Sequence, residues 1–370
     1  MVFISTAFFG MFSQILGNSS RLPSLDFLRG FAITIVFLTH FGVLDLQAVG
    51  VDLFFVLSGH LVSVSLWSTL RKAEGGTSYL IFFLKRLFRI IPAYYTFLVL
   101  GYLLAVLLLK DISPQDIPLP REFPQYFLFY RNYGGPPSRW SMEHLWSLCV
   151  EEQFYWILPG MLIFFTFLLP RLDKRFVAAA VLLLTMGIGL KAQAMVTDFA
   201  EWPTYTHNRL DAFGWGIVIT LLSRGKKGTQ HPLFNNKALL VLGTLTLLLS
   251  LTVFSPLPEL VLRTLSPVCW FLIILGLYQA RAGLFKPFRV LAFFSYGIYL
   301  WHFLFVIPVQ HYVGKGGLGF LVYTLVTMVF AVLSTLCIEQ PCLQLRDRFF
   351  RKVFPKKDQE AMHAPEVPIP

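Results

Sequence analysis

Ten apolar stretches of the chain are long enough to cross a lipid bilayer, and this feature restricts the fold more than any other. A membrane-spanning helix needs about 17–25 predominantly apolar residues. The stretches cover approximately residues 25–45, 49–70, 90–110, 146–169, 176–196, 208–223, 238–256, 260–280, 290–312 and 318–338. The composition agrees, because 56% of the 370 residues are hydrophobic and only 14% are charged, against about 25% charged in soluble domains. The sequence therefore predicts an all-α integral membrane protein with about ten transmembrane helices.

The basic residues occur in alternate connections. The connections after the second, fourth, sixth and eighth stretches, together with the tail, carry twenty Lys and Arg residues, whereas the opposite connections are sparse or of mixed charge. Because cytoplasmic loops carry the excess of Lys and Arg, we expect both termini in the cytoplasm and a multi-pass location in the cytoplasmic (inner) membrane. The predicted divisions are an N-terminal segment (1–24), a transmembrane core (25–345) and a basic cytoplasmic tail (346–370).

The cysteine pattern gives no sign of disulfide bonds or of a zinc site. The four cysteines, Cys149, Cys269, Cys337 and Cys342, lie in or beside apolar stretches and form no CxxC pair, so we expect neither a disulfide framework nor a zinc site. No other metal and no nucleic acid is expected either.

The first twenty residues are apolar but lack a basic start and an A-x-A cleavage site, so we expect a short extra helix there rather than a cleaved signal.

The first stretch carries polar groups that lipid disfavours. It reads LDFLRGFAITIVFLTH over residues 25–40. Arg29 and His40 are eleven residues apart, which is about three helical turns, so they share one helix face about 16 Å apart; Asp26 falls near the same face. Ionisable residues at membrane depth usually face a protein interior or a wet cavity and mark a functional site. The alternative is a snorkelling arginine and a structurally satisfied histidine.

A second basic pair lies before the third stretch. Arg86 and Arg89, in the segment YLIFFLKRLFRIIP, are three residues apart and share a helix face just before Pro92, which we expect to open or break the following helix. Two guanidinium groups on one face suit bidentate binding of phosphate or pyrophosphate. Anchoring to anionic lipid headgroups is the alternative.

Two consecutive acids begin the fourth stretch. His144, Ser147, Glu151 and Tyr155 follow the spacing of one helical stripe, and Glu152 points about 100° away from it. Acids are rare inside apolar spans, so we expect one of the two to face a polar cavity. An interfacial glutamate at the helix start is the alternative.

Other polar residues occur in the later stretches. They are His207, Arg209 and Asp211 near the sixth stretch, Ser295, Tyr299 and His302 on one face of the ninth, and Glu339 at the end of the tenth. Gly214 and Gly216 allow close helix contact. Lys191 and Arg263 are within snorkelling reach of the outer surface, and we expect them to be structural.

Seven motifs together resemble one family. They are LDFLRG followed by His40, GVDLFFVLSG (50–59), KRLFRIIPAYY (85–95), HLWSLCVEEQFY (144–155), THNRLDAFGWG (206–216), SYGIYLWH (295–302) and IEQP (338–341). In this order they resemble the membrane-bound acyltransferase-3 family over roughly residues 24–345.

The resemblance implies an activity. Members of that family have a ten-helix core and move an acyl group, usually acetyl, from cytoplasmic acyl-CoA to a hydroxyl of an extracytoplasmic or lipid-linked acceptor, most often a sugar. It implies acetyl-CoA or another acyl-CoA as co-substrate, and membrane lipids and a carbohydrate or other hydroxyl acceptor as partners. Some relatives carry a fused extracytoplasmic hydrolase-like domain; we expect none here, which leaves room for a separate extracytoplasmic transferase.

The resemblance also implies site residues. Arg29 and His40 match the R-x10-H pair, and Arg86 and Arg89 match the R-x-x-R pair associated with the acyl-CoA end of the site. The remaining candidates carried by the motifs are Asp26, Asp52, Ser58, Trp146, Glu151, Glu152, Tyr155, Arg209, Ser295, Tyr299, His302 and Glu339. Two positions depart from the family pattern: His60 replaces a common aromatic residue and Gln340 replaces a common arginine. His60 is a candidate second polar group at the site.

These observations combine into one mechanistic hypothesis. Phosphates bind Arg86 and Arg89, the pantetheine arm passes Arg29 through a central polar cavity, and His40 takes the proton from the acceptor hydroxyl as general base. Glu151 orients the imidazole or stabilises its charged form, in the manner of a triad acid. A covalent acyl-histidine intermediate is the competing route. A proton-coupled transporter or flippase is the alternative function, and an inactive scaffold of the same fold is a third.

Overall fold

The structure is a computed structural model, and it describes residues 22–72, 76–134, 140–197, 204–252, 259–280 and 286–354. These residues are mostly helical and contain no β-strand. The expected N-terminal helix before residue 22 and the end of the predicted tail, 355–370, lie outside the described residues.

Twelve α-helices occur in the described part of the chain. They are α1 (Pro23–Phe41), α2 (Gln47–Lys72), α3 (Gly76–Leu109), α4 (Phe123–Phe127), α5 (Trp146–Thr166), α6 (Leu172–Thr197), α7 (Leu210–Arg224), α8 (Lys237–Thr252), α9 (Glu259–Leu277), α10 (Lys286–Tyr312), α11 (Gly317–Ser334) and α12 (Gln340–Val353). Short 3₁₀-helices connect several of them, and a π-helical segment, Thr335–Glu339, joins α11 to α12. The predicted all-α fold is confirmed.

Seven helical segments within the described residues are long and apolar enough to cross a membrane. They contain α1, α2, α3, α5, α6 and α10, and the seventh is the continuous run Gly317–Val353. The other three predicted stretches form α7, α8 and α9, of 15, 16 and 19 residues, which are not among these seven segments. Every predicted stretch thus overlaps a helix, while a total of ten spans stays a prediction.

The expected helix boundary at Pro92 is wrong. Helix α3 continues through Pro92 for 34 residues. Proline removes one backbone donor, here the one that would bond the Phe88 carbonyl, and crowds the preceding turn, but transmembrane helices tolerate such residues where the surrounding protein supplies hydrogen bonds. Here the Tyr296 hydroxyl donates to the carbonyl of Ile90 (3.0 Å), and Thr96 donates to the carbonyl of Pro92 (2.8 Å). The helix that carries the arginine pair is therefore continuous with the span that follows.

Helix α1 ends directly after His40. Gly42 has φ +89°, and the amides of Gly42 and Val43 donate to the carbonyls of Thr39 and Leu38. This is a Schellman-type end, in which a glycine takes the left-handed conformation that other residues avoid. The imidazole is consequently placed in the last turn of α1, three turns from Arg29.

Glycines allow the central helices to approach closely. A Cβ at Gly30 of α1 would lie 2.2 Å from the Phe288 carbonyl oxygen of α10, and one at Gly216 of α7 would lie 2.4 Å from the Val56 oxygen of α2. The close contact expected at Gly216 is confirmed, and a Cβ at Gly214 would lie 2.8 Å from the Leu184 side chain of α6. Helix α1 packs against α10 and α2, so its polar face is enclosed by helices.

Candidate active site

A cavity lies between α1, α2, α3, α5 and α10. Its empty volume, including space open to solvent, is about 980 Å³. Its polar lining comprises Arg29, Ser58, Arg86, Arg89, Ser147, Glu151, Glu152, Tyr155, Ser295, Tyr296 and Tyr299. Its apolar lining comprises Val51, Phe54, Phe55, Leu57, Leu61, Val62, Leu148 and Ile90. Apolar walls with a few convergent polar groups are typical of small-molecule sites, and three guanidinium groups in one cavity favour an anionic ligand.

Helix α5 shows how the cavity is oriented. The Arg86 guanidinium lies 5.1 Å from the centre of the Tyr155 ring. Two turns earlier in α5, Ser147 is hydrogen-bonded to the Tyr299 hydroxyl at 2.5 Å. Positions eight residues apart on a helix are separated by about 12 Å. The cavity therefore extends from an arginine end at Tyr155 to a hydroxyl-rich end at Ser147 and Tyr299.

Glu151 lies between these two ends. Its two carboxylate oxygens accept hydrogen bonds from the Ser58 hydroxyl (2.7 Å) and the Tyr155 hydroxyl (3.2 Å), and the charges of Arg29 and Arg86 act on it. Glu152, which was expected to point away, lines the same cavity. Both acids thus face the polar interior, although only one was expected to do so.

His40 is paired with His302 in this structure. Nδ1 of His40 lies 2.8 Å from Nε2 of His302, and the His40 ring is half-buried with its edge against Phe303. His302 is fully buried. No hydrogen bond joins Glu151 to His40 among the described residues: Glu151 is bonded to Ser58 and Tyr155, and His40 is paired with His302.

Tyr299 connects the histidines to the cavity. Its backbone carbonyl lies 2.8 Å from Nδ1 of His302, and its hydroxyl lines the cavity and donates to the carbonyl of His144 (2.7 Å). His40 does not itself line the cavity. The structure therefore brings His40, His302 and Tyr299 together at the hydroxyl-rich end, as the helical face shared by Tyr299 and His302 suggested.

His144 is a third buried histidine beside this pair. Its ring centre is 5.2 Å from that of His302, and its Nε2 donates to the carbonyl of Leu300 (3.1 Å). His302 also directs Nδ1 at backbone carbonyls. Because these nitrogens point at carbonyls, the three rings do not converge on one point, and no cluster of three metal-ligating side chains occurs among the described residues.

Asp52 and Arg209 form a buried ion pair outside the cavity lining. Nη1 of Arg209 lies 2.8 Å from Oδ1 of Asp52, and both side chains are inaccessible to solvent. The Arg209 guanidinium also lies 5.4 Å from the Trp146 ring centre. Three of the candidate site residues therefore connect α2, α5 and the 3₁₀-helix Thr206–Arg209.

The expected snorkelling of Lys191 and Arg263 is wrong. Lys191 is 1% exposed and Arg263 is 7% exposed. The Lys191 ammonium lies 2.9 Å from both carboxylate oxygens of Asp211 and donates to the Arg263 carbonyl at 2.8 Å. A carboxylate on the neighbouring helix satisfies the ammonium inside the protein, so it has no need to reach the surface.

Of the remaining candidates, Asp26 and Glu339 do not line the cavity, whereas Ser295 does. Asp26 is 3.9 Å from Arg289 of α10. Glu339 is the last residue of the π-helical segment and accepts a hydrogen bond from Thr335 (3.0 Å). It also interacts electrostatically with Arg89 and Arg29. Ser295 does line the cavity, but its hydroxyl donates to the carbonyl of Ala292.

Comparison with known proteins shows the family. The sequence profile of the acyltransferase-3 family, described as an acyltransferase domain, matches residues 22–339. This chain belongs to the acyltransferase-3 family. The matched region includes every candidate residue of the acyltransferase-3 cavity and both members of the His40–His302 pair.

Relatives in the acyltransferase-3 family include O-acetyltransferases. The chain is 26% identical to the O-acetyltransferase OatA of Staphylococcus aureus (strain MRSA252), covering 92% of this chain and 60% of the relative. It is 27% identical to the peptidoglycan O-acetyltransferase OatA of Listeria monocytogenes, covering 76% of this chain and 49% of the relative. The chain thus spans about half to three fifths of the length of these curated relatives. No solved structure matches the chain.

Sequence reasoning missed part of this acyltransferase-3 site. Tyr296 lines the cavity but was not selected, although it lies within the SYGIYLWH motif. His60 was expected near the site, yet it is buried against Thr220 (2.8 Å) and Tyr278 (3.1 Å) and does not line the cavity. Both placements depend on which helices are neighbours, and neither follows from spacing within one helix.

Proposed function

We propose that this acyltransferase-3 protein transfers an acyl group, in the first instance acetyl, from cytoplasmic acyl-CoA to a hydroxyl of an extracytoplasmic or lipid-linked carbohydrate. The observation that carries the proposal is the cavity itself. It has an arginine end at Arg86 and a hydroxyl-rich end at Tyr299, whose backbone carbonyl contacts His302 of the His40–His302 pair. The peptidoglycan named in one relative makes its sugars the first acceptor to test.

The orientation in the membrane follows from the charge pattern. We propose ten spans with both termini in the cytoplasm of a cell with this protein in its cytoplasmic membrane. The arginine end of the cavity then faces the cytoplasm, where acyl-CoA is available, and the half-buried His40 ring lies towards the outer side. In this proposed orientation, acyl transfer occurs at a position that both a cytoplasmic donor and an outside acceptor can reach.

The arginine end suits the phosphates of CoA. Arg86, Arg89 and Arg29 line one cavity, and planar guanidinium groups bind phosphate oxygens in pairs. The apolar wall beyond them, including Phe54 and Leu61, suits the uncharged pantetheine arm. Residues of the chain therefore match both parts of the proposed donor, and no metal is required for this step.

His40 is proposed to act as the general base. Its unpaired ring nitrogen accepts the proton of the acceptor hydroxyl while the oxygen attacks the thioester carbonyl. The carbon–sulfur bond then breaks, and the CoA thiolate leaves with the electron pair. General base catalysis of this kind contributes about 10²–10⁴-fold. Glu151, held by Ser58 and Tyr155, balances the arginine charges between the two ends.

The test measures both products of the reaction. Purified protein in lipid nanodiscs is incubated with isotope-labelled acetyl-CoA and soluble peptidoglycan fragments; free CoA thiol is titrated and the glycan is weighed by mass spectrometry. We expect equal amounts of CoA and acetylated glycan. His40→Ala should lose both, whereas His311→Ala, at an exposed position of α10, should retain both.

Two outcomes contradict the proposal. Full transfer by a folded His40→Ala protein would remove the histidine from the mechanism. Movement of a glycan or metabolite across a proteoliposome membrane without release of CoA would favour the transporter alternative. Retention of label on the His40 peptide after quenching would favour the acyl-histidine route over direct transfer.

A further inference from the structure

The contacts of His302 determine which of its two nitrogens carries a proton. Nδ1 of His302 lies 2.8 Å from the carbonyl oxygen of Tyr299 and 3.1 Å from that of Ile298. A carbonyl oxygen can only accept a hydrogen bond, so Nδ1 must be the donor. In a neutral imidazole the other nitrogen, Nε2, is then an acceptor.

A charged His302 does not fit its surroundings. An imidazolium would carry protons on both nitrogens, but the ring is fully buried. Its neighbours are the rings of Phe37, Phe303, Tyr299 and the two other histidines. No acidic side chain is bonded to it among the described residues. A buried charge without a partner is costly, so His302 is neutral in this arrangement.

The proton on His302 then sets the state of His40. Nε2 of His302 accepts, and the atom 2.8 Å away is Nδ1 of His40. That nitrogen must therefore be protonated, which leaves the lone pair of a neutral His40 on Nε2. A hydrogen bond to one ring nitrogen commonly fixes the tautomer of a functional histidine in this way.

We infer that His302 is a positioning residue that holds His40 in its Nδ1–H tautomer and so keeps Nε2 free to accept the proton of the acceptor hydroxyl. This inference rests on the proposed function for its kinetic consequence. The tautomer itself does not depend on that function, because it follows from backbone carbonyls and one inter-ring distance.

The arrangement differs from a triad with an acid. A carboxylate behind a histidine orients the ring and also stabilises its charged form. His302 orients His40 through a neutral acceptor nitrogen, and its own ring is held by the backbone carbonyls of the preceding turn of α10. The proton that His40 gains must therefore leave towards the open side of its ring, since His302 Nδ1 is occupied by the carbonyls of Tyr299 and Ile298.

The test reads the tautomer directly. The full chain is labelled with ¹⁵N-histidine, reconstituted in phospholipid vesicles and studied by solid-state NMR, and the His40 signals are identified by their loss in His40→Gln. We expect a protonated Nδ1 and an unprotonated Nε2. In His302→Leu, which has no acceptor, His40 should change to the Nε2–H form. In His302→Gln, whose amide oxygen can replace the acceptor, the Nδ1–H form should persist.

Kinetics of the same proteins test the positioning role. His302→Leu should lower kcat by about 10²-fold or more, within the range of a lost general base, with the KM for acyl-CoA unchanged. His302→Gln should recover most of kcat. A merely structural role would alter both variants alike and would also change KM.

The outcomes separate the inference from the proposed function. A wild-type His40 that is protonated on Nε2 overturns the inference, and this result does not depend on how well His302→Leu folds. An unchanged His40 tautomer in folded His302→Leu also overturns it. If the His40 tautomer changes in His302→Leu as expected but this variant keeps full activity, His40 is not the general base and His302 has no positioning role in catalysis. The hydrogen bond between His40 and His302 would still be confirmed.

Discussion

Arg86 is the residue through which the proposed acyl-CoA donor can be tested most directly. Its guanidinium lies 5.1 Å from the ring centre of Tyr155 and 5.7 Å from that of Phe82. The two rings hold the planar group beside the cavity while its N–H groups stay available for hydrogen bonds. Tyr155 in turn donates to Glu151, so the arginine end and the middle of the cavity form one connected set of side chains.

Replacing Arg86 should weaken binding of the phosphate-bearing donor. Hydrogen bonds to charged groups are worth about 1.5–3 kcal/mol, so Arg86→Ala should raise the KM for acetyl-CoA by about 10–100-fold. Acetyl-pantetheine lacks the nucleotide phosphates, and its KM should be the same for the variant and the wild type. Steady-state kinetics with the two donors measures this difference.

The matched control for Arg86 removes an equal charge elsewhere. Arg348→Ala changes an exposed arginine of α12, and we expect no effect with either donor. An equal rise in KM for acetyl-CoA and acetyl-pantetheine in Arg86→Ala would show that the arginine shapes the cavity and does not bind phosphate.

At the scale of elements, buried ion pairs fix how the helices pack. Lys191 of α6, Asp211 of α7 and the Arg263 carbonyl of α9 are joined by hydrogen bonds of 2.8–2.9 Å. The Asp52–Arg209 pair joins α2 to the same region. Removing one partner of a buried pair leaves an uncompensated charge, so these contacts make the packing of the four elements specific.

Breaking the Lys191–Asp211 pair should destabilise the protein strongly. Lys191→Met should lower the free energy of unfolding by about 3–5 kcal/mol, whereas the double variant Lys191→Met/Asp211→Leu should recover most of that loss, because no buried charge remains unpaired. Thermal unfolding in detergent, followed by size-exclusion chromatography, gives the ranking of the three proteins.

An exposed pair serves as the control for Lys191. Arg171 and Asp173 are in contact at 2.7 Å, but their side chains are 68% and 45% exposed, and such pairs contribute about 0–1 kcal/mol. Arg171→Ala should therefore hardly change stability. A double variant no more stable than Lys191→Met would mean that packing volume, and not charge pairing, determines the loss.

At the scale of the whole molecule, the central question is which end of the cavity faces the cytoplasm. The alternation of basic connections predicts that the loop after α7 lies inside and the loop after α10 outside. Lys227 lies in the first of these loops and Lys315 in the second, and both side chains are exposed.

Cysteine labelling in intact cells tests this orientation. In a chain whose four native cysteines are replaced, Lys315→Cys should react with a membrane-impermeant maleimide, and Lys227→Cys should react only after the cells are permeabilised. The reverse pattern would turn the arginine end of the cavity outward and would exclude a cytoplasmic acyl-CoA donor. Labelling of both positions in intact cells would contradict the odd number of spans, α8, α9 and α10, that we expect between them.

Features that lie within one helix could be predicted from the sequence. The apolar stretches anticipated the helices, and three members of the predicted stripe, Ser147, Glu151 and Tyr155, line the cavity. Its fourth member, His144, lies in the 3₁₀-helix before α5 and does not line the cavity. These predictions hold because helical geometry fixes the relative direction of side chains a few turns apart.

Contacts between helices were decided only by the tertiary structure. His40 and His302 are 262 residues apart, Ser58 and Glu151 are 93 apart, and Lys191 meets Asp211 across two helices. No periodicity along the chain specifies which faces will oppose each other, because that depends on close approaches such as the one at Gly30. The sequence by itself determined which residues are polar within the membrane, and helix packing alone decided which of them became partners.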